Sequence, residues 1–68
     1  MKYNAKQFGI NVREGRKNRD ISQDQLALRA GIDRSYMGRI ERGQVNITLE
    51  KVYRLAEALD CSIYDLMP

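Results

Sequence analysis

The sequence predicts an all-α domain, a compact bundle of five short helices. Three observations carry that reading. Apolar residues recur at spacings of three and four, and β-branched alternation is almost absent. Ser22, Asp33, Thr48 and Ser62 each stand just ahead of such a stretch, where a side-chain oxygen caps a helix. The only proline is Pro68, so no proline breaks an element.

The first helix covers residues 5–18, with Phe8, Val12 and Gly15 on its inner face. Asn18, Arg19 and Asp20 break it. Ser22 caps the second helix and Gln25, three residues on, completes a capping box. Leu26, Ala27 and Ala30 face inward, and Gly31 ends the helix in the left-handed conformation. Asp33 caps the third helix, Met37 and Ile40 are its inner residues, and Gly43 stops it. Residues 44–47 form a loop. Thr48 caps a fourth helix that reaches Leu59, with Leu49, Val52, Ala56 and Leu59 on one stripe and Leu55 beside it. Ser62 caps a last short turn, with Asp65 at the capping-box position and Ile63 and Leu66 pointing in.

Size and composition narrow the function. The chain has 68 residues, one Cys, no His and no Trp. It is read as a single domain over residues 1–68, without room for a second, ligand-sensing one. Such a chain buries about 60% of its unfolded surface, enough for one small core. A lone Cys61 makes no intrachain disulfide and, with no His, no Cys/His zinc site. The usual base for a Ser or Cys nucleophile is also missing, so the chain reads as no enzyme and as needing neither cofactor nor metal. No apolar run approaches the ~18 residues of a membrane span, and the N-terminus lacks a signal-peptide core. A cytoplasmic protein is expected.

The net charge of +3 is unevenly spread. Residues 1–19 carry Lys2, Lys6, Arg13, Arg16, Lys17 and Arg19 against Glu14 alone, a net +5. Residues 20–43 balance four Arg with four acids, and residues 44–68 are net −2. A basic face with an acidic far side suits a protein that sits on nucleic acid, though a solvated surface of ordinary asymmetry has the same arithmetic.

Two short helices joined by about three residues including a Gly make a helix-turn-helix, here over residues 22–42. Ala27 falls where the two helices come closest, and Gly31 falls where the turn needs positive φ. Ser22-Gln23-Asp24-Gln25-Leu26-Ala27 and Ile40-Glu41-Arg42-Gly43 resemble the signatures of the Cro/C1-type (phage lambda repressor-like, XRE-type) helix-turn-helix family. The resemblance spans residues 6–66. The run from Ile32 to Gly43, followed by Asn46-Ile47-Thr48, is similar to the small controller proteins of restriction–modification systems.

The resemblance implies a sequence-specific transcription regulator, autoregulatory, bound as a homodimer to a two-fold operator in double-stranded DNA. RNA polymerase is a further candidate partner. The third helix would enter the major groove. Removing its cap and core residues leaves Arg34, Ser35, Gly38 and Arg39 to face bases, the two Arg suited to guanine O6 and N7. An exposed helical Arg is otherwise a solvated charge or a phosphate contact. Gln23, Tyr36, Arg42, Gln44, Asn46 and Thr48 would anchor phosphates, with Arg13 and Lys17 adding charge. Tyr36 is assigned to phosphate rather than core because Met37 already fills the inner face. Arg16 and Glu41 occupy the positions of a family ion pair between the first and third helices. The dimer surface is expected within residues 53–67, from Tyr53, Ile63, Tyr64, Leu66 and Met67 with Leu59; Ile63 and Leu66 would alternatively close the monomer's own core.

Two residues depart from the family pattern. Gly15 replaces a larger apolar residue, and either admits another helix or weakens the first one. Asp20 stands where Gly is common, and tolerates the left-handed region better than most residues. The rival reading is an antitoxin or adaptor whose main role is to bind a protein partner.

Overall fold

Every helix in this chain begins where a short polar side chain can accept from the backbone two or three residues on. In the computed structural model, which describes residues 4–68, these caps delimit four α-helices: α1 (Ala5–Asn18), α2 (Gln23–Ala30), α3 (Arg34–Glu41) and α4 (Leu49–Ala58). A 3-10 turn, Ile63–Asp65, follows. Lys2, counted in the basic N-terminal third, lies outside the described residues.

Among the described residues the fold is all-helical, with four α-helices rather than the expected five helices. The fifth element stays a single 3-10 turn because the chain stops extending helically at Leu66, which folds into the core. Asn4 caps α1, Ser22 and Gln25 form a reciprocal box on α2, Asp33 caps α3, Thr48 caps α4, and Ser62 with Asp65 boxes the final turn. Each such cap is worth about 1 kcal/mol, a large share of the stability of so short a helix. Gly31 ends α2 at φ 66° and Gly43 follows α3 at φ 72°. Asp20 is left-handed, and so is Asp60, after α4.

The core is one apolar cluster. α1 packs on α3, α2 on both α3 and α4, and the last turn on α4. Phe8, Val12, Leu26, Met37, Ile40, Leu55, Leu59 and Leu66 are its fully enclosed large side chains. Ala27 is buried in the angle between α2 and α3, and Ile32 donates its N–H to the Ala27 carbonyl at 2.9 Å, closing the turn.

Three placements correct the sequence reading. Leu49 is 62% exposed rather than inward. It opens α4 beyond the edge of the core, which Val45 and Ile47 from the preceding loop cover instead. Leu59 and Leu66 are each 1% exposed, so both are spent on the protomer's own core and offer no side chain to a second copy. The close helix approach falls at Gly9, not Gly15. A Cβ on Gly9 would strike the Ile40 carbonyl oxygen and lie 2.6 Å from that of Glu41, whereas one on Gly15 would meet side-chain ends alone, the Leu59 Cδ1 at 3.4 Å and the Arg19 Nη1 at 3.7 Å.

Candidate nucleic-acid interface

The outward face of α3 is set by subtraction. Met37 and Ile40 go into the core, and their spacing turns Arg34, Ser35 and Arg39 outward, all exposed. Gly38 shares this face but is covered. A Cβ there would lie 3.0 Å from the Arg42 Nη1 and 3.5 Å from the Gln23 Oε1. Gln23, Arg34, Ser35, Gly38, Arg39 and Arg42 line one shallow, open depression of about 400 Å³. The structure therefore gathers all four candidate base readers and two of the candidate anchors on one surface.

An ion pair clamps α3 from behind. Arg16 on α1 donates to Glu41 through Nε at 2.8 Å and through Nη2 at 3.0 Å. Its Nη1 donates to the Ile21 carbonyl at 3.1 Å, and the Gln23 Nε2 donates to the Glu41 Oε1 at 3.2 Å. The side chains are 13% and 4% exposed. The hydrogen bonds to Glu41 raise the Arg16 pKa above its ordinary value, against the opposing effect of burial. One carboxylate thus joins α1, the start of α2 and the end of α3, and Gln23 is held toward the α3 face.

The rim follows from an alternation. In the loop after α3, Val45 and Ile47 pack on the core while Gln44, Asn46 and Thr48 are exposed. Arg42 Nε donates to the Gln44 Oε1 at 3.2 Å. Tyr36 is half-buried against the core, and the Lys51 ammonium sits 5.3 Å from its ring centroid. It is thus partly a core aromatic and partly a cationic corner. Arg13 and Lys17 are exposed one turn apart on α1, outside the depression.

Sequence reading missed Asp24 and Lys51 as neighbours of this surface. The Asp24 Oδ1 lies 2.8 Å from the Arg34 Nε as an ion pair. Both residues enter the sequence only as charges, and the crossing of the helices, not spacing, brings them to Arg34 and Tyr36.

At the opposite end Tyr64 is 81% exposed, and Tyr53 and Met67 are also open, while Ile63 is half-buried. Tyr53, Ile63 and Tyr64 share a second shallow hollow with Ala56 and Cys61. The Asn11 Nδ2 donates to the Leu66 and Met67 carbonyls at 3.0 and 3.1 Å, tying this end to α1. No helix among the described residues is long and apolar enough to cross a membrane.

Two short helices at a glycine turn, braced by a third and presenting arginines on the outer face of the second, define a DNA-binding protein of the helix-turn-helix class. A family profile described as helix-turn-helix matches residues 12–66. The chain belongs to this family of Cro/C1-type transcription regulators.

Its relatives include control protein C.SmaI of Serratia marcescens, 42% identical over 57 residues, covering 84% of this chain and 68% of that protein. Control protein C.BamHI of Bacillus amyloliquefaciens is 34% identical over 61 residues, 88% of this chain and 75% of that one. Among solved structures, the restriction-modification controller protein C.AhdI from Aeromonas hydrophila superposes with a TM-score of 0.90 at 43% identity, over 93% of this chain and 96% of that chain.

Proposed function

We propose that this transcription regulator is a restriction–modification controller, which binds its own operator as a homodimer and adjusts its own expression in the cytoplasm. Arg34, Ser35 and Arg39 read base edges, while Gly38 leaves room for Arg42 and Gln23 to lie across that face. Gln23, Tyr36, Arg42, Gln44, Asn46 and Thr48 hold the backbone on either side, with Arg13 and Lys17 adding charge. Tyr53, Tyr64, Met67 and the half-buried Ile63 form the contact between copies. RNA polymerase is the partner through which a bound dimer would act on transcription. The reading assigns no catalysis.

The observation that carries it is the convergence of Arg34, Ser35, Gly38 and Arg39 with Gln23 and Arg42 on one open surface. Similarity to control proteins supports the controller role. The test is selection of bound duplexes from a random DNA pool at stated salt. Two G-containing half-sites about 34 Å apart, or a multiple of that, are expected. Enrichment of no sequence, with one stoichiometric protein partner captured instead, would favour the adaptor reading.

A further inference from the structure

The Asp24–Arg34 pair has no evident structural task. Arg34 is 77% exposed and Asp24 60%, so the pair adds little to stability. Its geometry is nevertheless specific. Asp24 is the second residue of α2 and Arg34 the first of α3, so the contact crosses the turn on the side that carries the base-reading surface. The carboxylate engages Nε at 2.8 Å. A carboxylate on the Nε side of the guanidinium leaves both terminal amino groups available. Those two groups make the paired bonds to guanine O6 and N7. Arg39, on the same face, has no ion-pair partner among the described residues, and so provides an internal comparison.

We propose that Asp24 is a positioning residue for sequence recognition, orienting Arg34 toward a guanine and discouraging it from binding phosphate. The proposal rests on Arg34 reading a base. Two consequences follow from charge and geometry. First, the carboxylate beside Nε biases the guanidinium toward the arrangement that turns its two amino groups to guanine, which sharpens preference at one base pair per half-site. Second, the carboxylate offsets the Arg34 charge and repels the phosphate backbone, which weakens binding to unrelated sequence. Asp24 therefore acts on the ratio of specific to non-specific affinity, beyond the small stabilisation any carboxylate gives in the first turn of a helix.

The experiment uses the full chain and the duplex recovered by selection, with all four base pairs placed in turn at the position that Arg34→Ala affects. A scrambled duplex of equal length serves as the non-specific probe. Wild type, Asp24→Ala, Asp24→Asn, Arg34→Ala and the Asp24→Ala/Arg34→Ala double variant are titrated by fluorescence anisotropy, and each variant's melting temperature is recorded. Asp24→Ala is expected to lose roughly fivefold of the preference at the Arg34 base pair, within what one bidentate contact supplies. It should also bind the scrambled duplex more tightly, with a salt slope steeper by about 0.9 for each protomer whose Arg34 turns to phosphate. Preference at the Arg39 base pair should not change, and Asp24→Ala should have no further effect once Arg34 is Ala. If Arg34→Ala shifts no base preference, the reading of Arg34 fails and takes the proposal with it. If Arg34→Ala erases a preference that Asp24→Ala and Asp24→Asn both retain, Asp24 alone is refuted. Equal weakening on every duplex with a lowered melting temperature would likewise overturn it, by making Asp24 a helix-stabilising residue.

Discussion

Arg16 and Glu41, 25 residues apart, meet in a two-pronged ion pair that is nearly closed to water and fastens α1 to the end of α3. Glu41 also accepts from Gln23, so one carboxylate serves three elements. Removing it as Glu41→Ala leaves a largely enclosed guanidinium with only the Ile21 carbonyl as partner. Breaking a buried pair on one side costs about 3–5 kcal/mol, and the lower end applies because Arg16 keeps 13% exposure. In a domain this small each kcal/mol lowers the melting temperature by about 4–8 °C. Thermal denaturation of Glu41→Ala should therefore show a drop of at least about 12 °C. Replacing both partners, as Arg16→Met/Glu41→Leu, should recover much of it, since no buried charge then stands alone. Melting at the wild-type temperature would reduce the pair to surface decoration.

Gly9 and Gly15, on the same helix, should respond to the same substitution with opposite signs. Alanine gains about 1 kcal/mol over glycine within a helix. At Gly15 the new methyl meets the ends of two flexible side chains, Leu59 at 3.4 Å and Arg19 at 3.7 Å. Gly15→Ala should therefore stabilise by about 0.5–1 kcal/mol. At Gly9 the methyl runs into backbone carbonyls at the end of α3, which cannot rotate away. Overpacking of that kind costs about 1–3 kcal/mol or more, enough to exceed the propensity gain. Urea titrations should place the Gly15→Ala midpoint above wild type and the Gly9→Ala midpoint below it.

That contrast shows where sequence reading ends. The caps at Ser22, Asp33, Thr48 and Ser62 were legible because capping needs only a side chain and a backbone two or three residues away. The turn at Gly31 was legible for the same local reason. The outward set Arg34, Ser35 and Arg39 followed from where Met37 and Ile40 point. The role of Gly9 was not legible, because a mid-helix glycine looks alike whether it admits a backbone or merely weakens a helix. Leu49 fits the α4 stripe by period, yet the stripe outruns the core. Asp24 beside Arg34 and Lys51 over Tyr36 depend on helix crossing angles, which no spacing encodes.

Arg39→Ala should leave stability unchanged, because the side chain is exposed and forms no ion pair among the described residues. Its loss should fall on recognition. The preference at one base pair of each half-site should drop by about 1–3 kcal/mol while the others persist. Binding titrations against single-position variants of the operator measure this directly. Uniform weakening across all variants would make Arg39 a phosphate contact.

Cys61 should be a sluggish nucleophile. Burial pushes its thiol pKa up, Asp65 and Asp60 add to the rise, and Arg19 opposes it. The thiolate is the reactive form, so a raised pKa means less of it at neutral pH. Alkylation by iodoacetamide at pH 7 should be slower in the folded protein than in urea. The rate should climb with pH beyond the point at which an unhindered thiol has levelled off. A folded-state rate equal to the unfolded one at pH 7 would contradict the shift.

The salt dependence of binding separates a dimer on DNA from a single copy. Each phosphate neutralised contributes about −0.9 to the slope of log K against log[salt]. Four cations per protomer, Arg42 with Arg13, Lys17 and Lys51 beside the Gln23, Gln44, Asn46 and Thr48 rim, neutralise about eight phosphates in a dimer and give a slope near −7. Tyr64 is the most open of the aromatic residues at the far end, and an aspartate there places a charge where two copies would exclude water. Tyr64→Asp should therefore dissociate the dimer without touching the α3 face, and its slope on a single half-site should be about half the wild-type value. Sedimentation at micromolar concentration reports the oligomer, and the slope reports how many phosphates it covers. Wild type that sediments as a monomer with the half-site slope would exclude this surface as a dimer contact, and a flat salt response would exclude the basic rim as a phosphate clamp.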